Sequence, residues 1–507
     1  MSDARRDPDA VVIGSGPNGL VAACVLAGAG MSVLVVETNS RAGGAVGTEA
    51  ATRPGYLHDV GAAFFPWGTL SPAFRELPLE RHGLRWCWAR VQSCHPAPDG
   101  TVATIVRHPE GNGTEFGTAE DSAEWRRVTS WYRSIEPDLI ALLLGPFPSV
   151  APLARLGPGA LARLARIFTA SGRGLSERWF RSSAARRVLP SLALHVDVGP
   201  DDRFGAALGY MLGMTATTGG YPVPQGGARA ITDALLGCLA ERGGRIRLGA
   251  RAARIVVRGG RAVAVRLETG EEIPARVILG DTDVASLLLD LARDAPLPGR
   301  LARKLRSYPR GWGTFKVDWA LDGPVPWSAP PARESAVVHA GDSLDDLARF
   351  TSEVRAGQLP ERPYLVVGQQ SLADPTRSPP GSHTLWAYTR VPSYPSGGWS
   401  PRAEPMADAI DARIEELAPG FRSRIVARRV VPPDRLEAMD ANLVGGDLGG
   451  GSNAWHRQLL FRPVFPWFRY RLPVERLYLC SSYAHPGAGV HGMCGYNAAH
   501  RVLQDLS

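Results

Sequence analysis

Residues 10–37 read AVVIGSGPNGLVAACVLAGAGMSVLVVE, and no other stretch restricts the fold of this chain as tightly. Residues 11–13 form a short β-branched run of the kind that fills a buried strand. Gly14, Ser15, Gly16, Pro17, Asn18 and Gly19 follow, and an Ala-rich stretch without charge then reaches Gly30. A second apolar run, 33–36, ends at Glu37. Strand, tight turn, helix and strand in this order match the dinucleotide-binding fingerprint in its required context. Gly14 permits the turn, Gly16 lets backbone approach a pyrophosphate, and Gly19 lets helix and sheet pack closely. The helix N-terminus then offers unpaired N–H groups to the phosphates. Glu37, 23 residues after Gly14, is placed to accept hydrogen bonds from a ribose diol, and its charge disfavours a 2′-phosphate.

A chain of 507 residues has room for two or three domains. The 57 basic against 49 acidic residues leave a net charge of +8, too mild to specify nucleic acid, and no basic and aromatic platform accompanies it. Cys24, Cys87, Cys94, Cys238, Cys480 and Cys494 fit neither a paired CxxC metal site nor a disulfide framework. No HExxH, triad-like serine signature or compact metal cluster offers rival chemistry, so no metal is expected. The opening MSDARRDPDA is short and charged, and no 18-residue apolar span follows. These features set the expectation of a cytoplasmic protein, soluble or peripherally attached to a membrane.

Three further blocks carry a resemblance. After Glu37 and Thr38, the sequence reaches Gly43, Gly44 and Ala45, then PGYLHDVGAAFF. The spacing from Glu37 to the glycine pair resembles the FAD-binding signature of the phytoene desaturase and flavin amine oxidase superfamily. A second block, 221–283, holds a predicted helix over 228–242 and predicted strands over 246–248, 253–257, 262–267 and 277–279. The third, VERLYLCSSYAHPGAGVHGMCGYNAAHRVLQ, resembles the C-terminal flavin motif of desaturase relatives, including the pyridine nucleotide-disulphide oxidoreductase domain 2 branch. The resemblance implies FAD as cofactor. It places the strand at Ala252 against adenine, and Asp281, Ser482, Gly489 and Val490 along the cofactor. Asp281 and Asp283 also read as solvent-facing turn acids. Ala45 departs from the Arg that many amine oxidases and carotene desaturases carry there. With no second GxGxxG unit between 91 and 474, reoxidation falls to oxygen, a quinone or another acceptor; GDLGGG at 446–451 lacks the flanking pattern.

The expected fold is α/β, a Rossmann-type FAD-binding domain interleaved with an α+β substrate domain containing a mixed or antiparallel sheet. The cofactor domain takes 1–90, 221–300 and 474–507. The substrate domain takes 91–220 and 301–473, with TFKVDWAL and HTLWAY as strands. Near 136–190, Leu161, Leu164 and Ile167 recur at helical spacing beside Arg163 and Arg166, fitting either a lid helix or a membrane-facing segment. His485 is the candidate catalytic residue, with His491 behind it; a histidine in such a turn also serves as a plain hydrogen-bond partner. Trp455, Trp467 and Phe468 form a candidate pocket wall, or an ordinary core patch. The leading expectation is dehydrogenation of a hydrophobic small molecule by hydride transfer to flavin N5. An amine or modified-amino-acid oxidase producing hydrogen peroxide, a redox-neutral isomerase and a non-catalytic flavoprotein scaffold stay open.

Overall fold

A computed structural model describes residues 7–107 and 116–507, so the first six residues of the charged N-terminal stretch lie outside it. A parallel sheet is assembled from three separated parts of the chain. Its strand order is Leu477–Leu479, Val277–Gly280, Ala10–Ile13, Val33–Val36 and Arg245–Arg247, and every neighbouring pair runs parallel. The central strands are buried throughout, as the uninterrupted apolar runs require. Helix Pro17–Gly28 packs on this sheet, on helix Arg229–Glu241 and on the C-terminal helix Met493–Leu506. A Cβ on Gly495 would stand 1.8 Å from the Asn18 carbonyl oxygen, so the two helices approach at backbone distance. This contact brings the two ends of the chain to one site.

The predicted helix over 228–242 is Arg229–Glu241, and the strands around it fall within a residue or two of their expected places. Ala252–Arg258, Arg261–Leu267 and Glu272–Pro274 form their own antiparallel sheet. Residues 91–220 supply strands Val91–Pro96 and Val102–Val106 ahead of their helices. The alternation in VATIV is strand-like, and both segments find partners in a larger sheet.

That sheet has seven strands in the order Ile425–Val431, Gly313–Leu321, His383–Val391, Leu365–Gly368, Ser335–Ala340, Val91–Pro96 and Val102–Val106. All pairs are antiparallel except Ser335–Ala340 with Val91–Pro96. Strand period 2 divides its residues between two faces. Phe315, Val317 and Trp319 join Leu385 and Ala387 in a core with Ile410 and Ile414 of helix Ala403–Leu417. Thr314, Lys316, Trp386, Tyr388 and Arg390 point the other way, into a cavity. Helices Ala119–Leu144, Val150–Thr169 and Gly205–Thr218 pack on one another. Leu164 and Ile167 turn their apolar face into the protein, while Arg163 stacks on the Trp131 ring at 3.9 Å. No helix of the described residues is long and apolar enough to cross a membrane.

Candidate flavin and substrate site

A cavity of about 1060 Å³ runs from the Gly14–Gly19 turn, between the two sheets, to the polar face of the seven-stranded sheet. At its first end, Gly14 has φ +98°, and a Cβ there would lie 2.7 Å from the Asp281 carbonyl oxygen. A Cβ on Gly16 would meet Asp281 Oδ2 at 2.6 Å, and one on Gly19 would meet the Gly14 carbonyl oxygen at the same distance. The three glycines are therefore required by backbone shape and close approach. Glu37 is fixed at the end of its strand: Ser15 N and Oγ donate to Oε2 at 2.9 and 2.6 Å, and Asn39 N donates to Oε1. Gly43 N donates to the Ser15 carbonyl, and Gly44 lies against Gly16, so the second glycine pair is stacked on the first turn.

The sequence candidates converge here. Ser15, Pro17, Asn18, Glu37, Thr38, Gly44, Ala45, Ala252, Asp281, Ser482, His485, Gly489 and Val490 all line the cavity together with Gly14 and Gly16. Gly19 and Gly43 stand behind the lining and shape it through packing. Asp281 and Asp283 are not solvent-facing turn acids, since both are buried. Val277–Gly280 ends against the first turn, so the acids that follow it are carried inward. Burial pushes the Asp281 carboxyl up to about 7, against the lowering effect of the Gly19 N–H. Asp283 pairs with Arg310 at 2.9 Å, and Arg310 also donates to the Tyr483 hydroxyl. Tyr483 in turn donates to the Asn442 carbonyl, and Asn442 Oδ1 accepts from Asp283 N.

His485 Nε2 lies 3.1 Å from the Gly145 carbonyl oxygen, which fixes the Nε2–H tautomer. Burial lowers its pKa to about 4, so it is neutral at physiological pH. His491 accepts from Met493 N through Nδ1 and thereby caps the C-terminal helix. Its Nε2 is then a buried donor without a partner, on the cavity wall. Of the aromatic trio, Trp455 lines the cavity while Trp467 and Phe468 do not. Phe468 stacks with Phe465 instead.

Two parts of the site escaped the sequence reading. GDLGGG runs along the cavity, because Asp447 accepts from Gly311, Gly449 and Gly451 N and wraps the glycines around its carboxylate. Buried Arg462 donates to the carbonyls of Gly449, Gly450 and Ser482, tying that loop to the C-terminal motif. The density of glycine was the available signal. The second part is Lys316, buried, donating to the Asp59 carbonyl and paired with Asp318. Within an apolar strand, a lysine at alternating position was the clue.

The cavity suits a flavin nucleotide on its own chemistry. Gly14 and Gly16 leave backbone open where side chains would block it. Glu37 has acceptor capacity for hydroxyls, and His491 Nε2–H and Asn18 Oδ1 are buried polar atoms in need of partners.

Known proteins resemble this chain in sequence and in fold. The profile for flavin containing amine oxidoreductase matches residues 148–409, and that for NAD(P)-binding Rossmann-like domain matches 12–77. Pyridine nucleotide-disulfide oxidoreductase domain-containing protein 2 of Mus musculus is 30% identical over 99% of this chain and 94% of its own. The phytoene desaturase (neurosporene-forming) of Rhodobacter capsulatus is 27% identical over 96% and 92%. Cyclohexylamine oxidase from Brevibacterium oxydans shares the fold, with TM-score 0.62 at 16% identity over 99% of this chain and 100% of that one. Glycine turns, carboxylate, C-terminal motif and whole-chain similarity agree: the chain belongs to the flavin-containing amine oxidoreductase family, within the phytoene desaturase and amine oxidase superfamily, and is a flavin-dependent oxidoreductase.

Proposed function

We propose that the protein binds FAD and dehydrogenates a hydrophobic small organic molecule. The observation that carries this reading is the continuity of one cavity from the dinucleotide turn to a chamber walled by Phe64, Met211, Leu212, Tyr221 and Trp386. Such a chamber removes apolar substrate from water and holds it against the cofactor. The unphosphorylated adenosine ribose of FAD suits Glu37 and Thr38, its adenine Ala252, and its pyrophosphate the 14–19 turn. Gly44, Ala45, Asp281, Ser482, Gly489 and Val490 lie along the remainder. Bound flavin supplies a two-electron acceptor at N5 for a substrate hydride.

The chain's own residues position the substrate and take the accompanying proton. A hydride and a proton leave neighbouring substrate atoms, and one new double bond forms. His485, with Nε2–H committed to Gly145, takes a proton only at Nδ1. Burial keeps the ring neutral, so Nδ1 presents a lone pair to the departing proton. An amine substrate is less well served, because Arg390 places a cation without a carboxylate partner in the chamber. Trp455 and Leu459 line the cavity and are exposed, and the exposed Phe461 and Phe465 follow them in the chain. We assign this apolar rim to entry of a lipophilic substrate from a lipid surface.

Anaerobic mixing of the flavin-loaded protein with polyenes, other apolar small molecules, amines and amino acids tests the reading. Bleaching near about 450 nm by an apolar compound supports it. Bleaching by amines alone, or by nothing across the panel, overturns it.

A further inference from the structure

The polar face of the seven-stranded sheet holds one charge with no counterpart. Strand register sets Thr314 opposite Arg390, Lys316 opposite Tyr388 and Asp318 opposite Trp386. Lys316 is paired with Asp318. Arg390 is only 5% exposed and lines the cavity, yet no carboxylate reaches it among the described residues. Its one hydrogen bond runs from Nη1 to Thr314 Oγ1, and Nε is buried without a partner. A buried guanidinium left unpaired is costly, and the edge that remains free is the one that grips a planar carboxylate with two parallel bonds.

A chain of neutral groups beside Arg390 leads to the same ligand. Tyr388 hydroxyl and His195 Nδ1 are 3.1 Å apart, and His195 Nε2 is 2.8 Å from His339 Nε2. His339 Nδ1 is 3.0 Å from Ser93 Oγ, which is 2.9 Å from His95 Nε2. Burial lowers the pKa of all three histidines, so each carries one ring proton. Five groups with one mobile hydrogen each then share four hydrogen bonds, so one hydrogen is left over: at Tyr388, at His95, or at Ser93 where that hydroxyl accepts from both neighbours, an arrangement that strands its buried O–H because no further acceptor meets it among the described residues. Running from Tyr388 to His95 leaves an N–H at His95 Nδ1, a buried atom with no partner. Running from His95 to Tyr388 leaves only a lone pair there, the cheapest of the three defects. The second direction makes His195 the donor to the Tyr388 oxygen and frees the Tyr388 hydrogen. Tyr388 lines the cavity, so it offers a donor there beside Arg390.

We propose that Arg390 and Tyr388 form a carboxylate-binding subsite, and that the substrate is an organic acid with an apolar body. The inference rests on the dehydrogenase reading above and names its substrate class. A carboxylate is acceptor-only and anionic, matching one guanidinium edge and one hydroxyl hydrogen. His195, His339, Ser93 and His95 are positioning residues that set the direction in which Tyr388 donates.

The test is calorimetric titration of the flavin-loaded protein with straight-chain carboxylates from butanoate to dodecanoate, their methyl esters and the matching amines. The carboxylates are expected to bind ten- to a hundredfold tighter than esters or amines. Arg390→Leu should remove that preference, bringing carboxylate affinity down to that of the esters, and Tyr388→Phe should weaken carboxylates about tenfold. Tyr388→Phe keeps the ring and decides the matter if Arg390→Leu fails to fold. Equal affinity for the three series, binding by none, or wild-type carboxylate affinity in both variants overturns the proposal. Loss of flavin from folded Arg390→Leu also overturns it, by giving Arg390 to the cofactor. Arg390-dependent carboxylate binding with flavin that no compound reduces leaves the subsite standing and removes the dehydrogenase reading.

Discussion

Asp281 sits where a pyrophosphate is proposed to lie, and its ionisation should control cofactor affinity. Gly19 N, in the first turn of helix Pro17–Gly28, donates to Asp281 Oδ2 at 2.9 Å. Burial raises the carboxyl to about 7, and the charges of Asp440 and Glu37 push in the same direction. Below that value the group is a neutral acid able to donate to a phosphate oxygen; above it, a buried anion faces another anion. Cofactor binding therefore favours the protonated form, and affinity falls as pH rises through about 7. One proton linked to binding approaches tenfold per pH unit above the pKa, so about 16-fold, or ~1.6 kcal/mol, between pH 7 and 8.5. Asp281→Asn keeps the acceptor for Gly19 N and abolishes the ionisation. Its FAD affinity, followed by quenching of flavin fluorescence, should be nearly flat over that range. Asp440, also raised chiefly by burial, faces the same end of the cavity, so Asp440→Asn is the companion variant. Parallel slopes for wild type and Asp281→Asn would refute the reasoning.

Other perturbations reach other parts of the molecule. Arg377 is fully buried and pairs with Asp59 and Asp374 at 3.0 Å each, so Arg377→Met strands two carboxylates. A loss of about 3–5 kcal/mol is expected, seen as a lower thermal midpoint. Gly495→Ala should cost about 3 kcal/mol or more and lower flavin content, because the Asn18 carbonyl cannot yield to a Cβ; unchanged flavin content would contradict it. His485→Gln should slow anaerobic flavin reduction about 100-fold, while any inflection between pH 6 and 8 stays in place, since burial holds His485 at about 4. Replacing the exposed Phe461 and Phe465 with Ser should reduce co-flotation with phosphatidylcholine vesicles at unchanged flavin content. Equal flotation would detach the rim from any lipid role.

What could be read from the sequence is what local pattern encodes. The strand and glycine turn at 10–19, Glu37 and the Gly43–Gly44 pair each announce themselves within a few residues, and their geometry follows from φ and close approach. The polar chamber does not work this way. Thr314, Lys316, Tyr388 and Arg390 look like routine polar alternation in two strands, and only the register Thr314–Arg390 and Lys316–Tyr388 makes them one face. His95, His195 and His339 lie far apart in the chain: a parallel pairing sets His95 of Val91–Pro96 beside His339 of Ser335–Ala340, and the turn after helix Val188–Ala193 adds His195. GDLGGG was discounted for want of flanking strand and helix, yet it needs neither, being folded around the Asp447 carboxylate. The cofactor end is specified by short-range rules shared with every dinucleotide fold, whereas the substrate end is specified by strand pairing across hundreds of residues. The residues that decide what this enzyme oxidises should therefore be sought on the sheet face around Arg390, where charge is unbalanced, before the glycine turns.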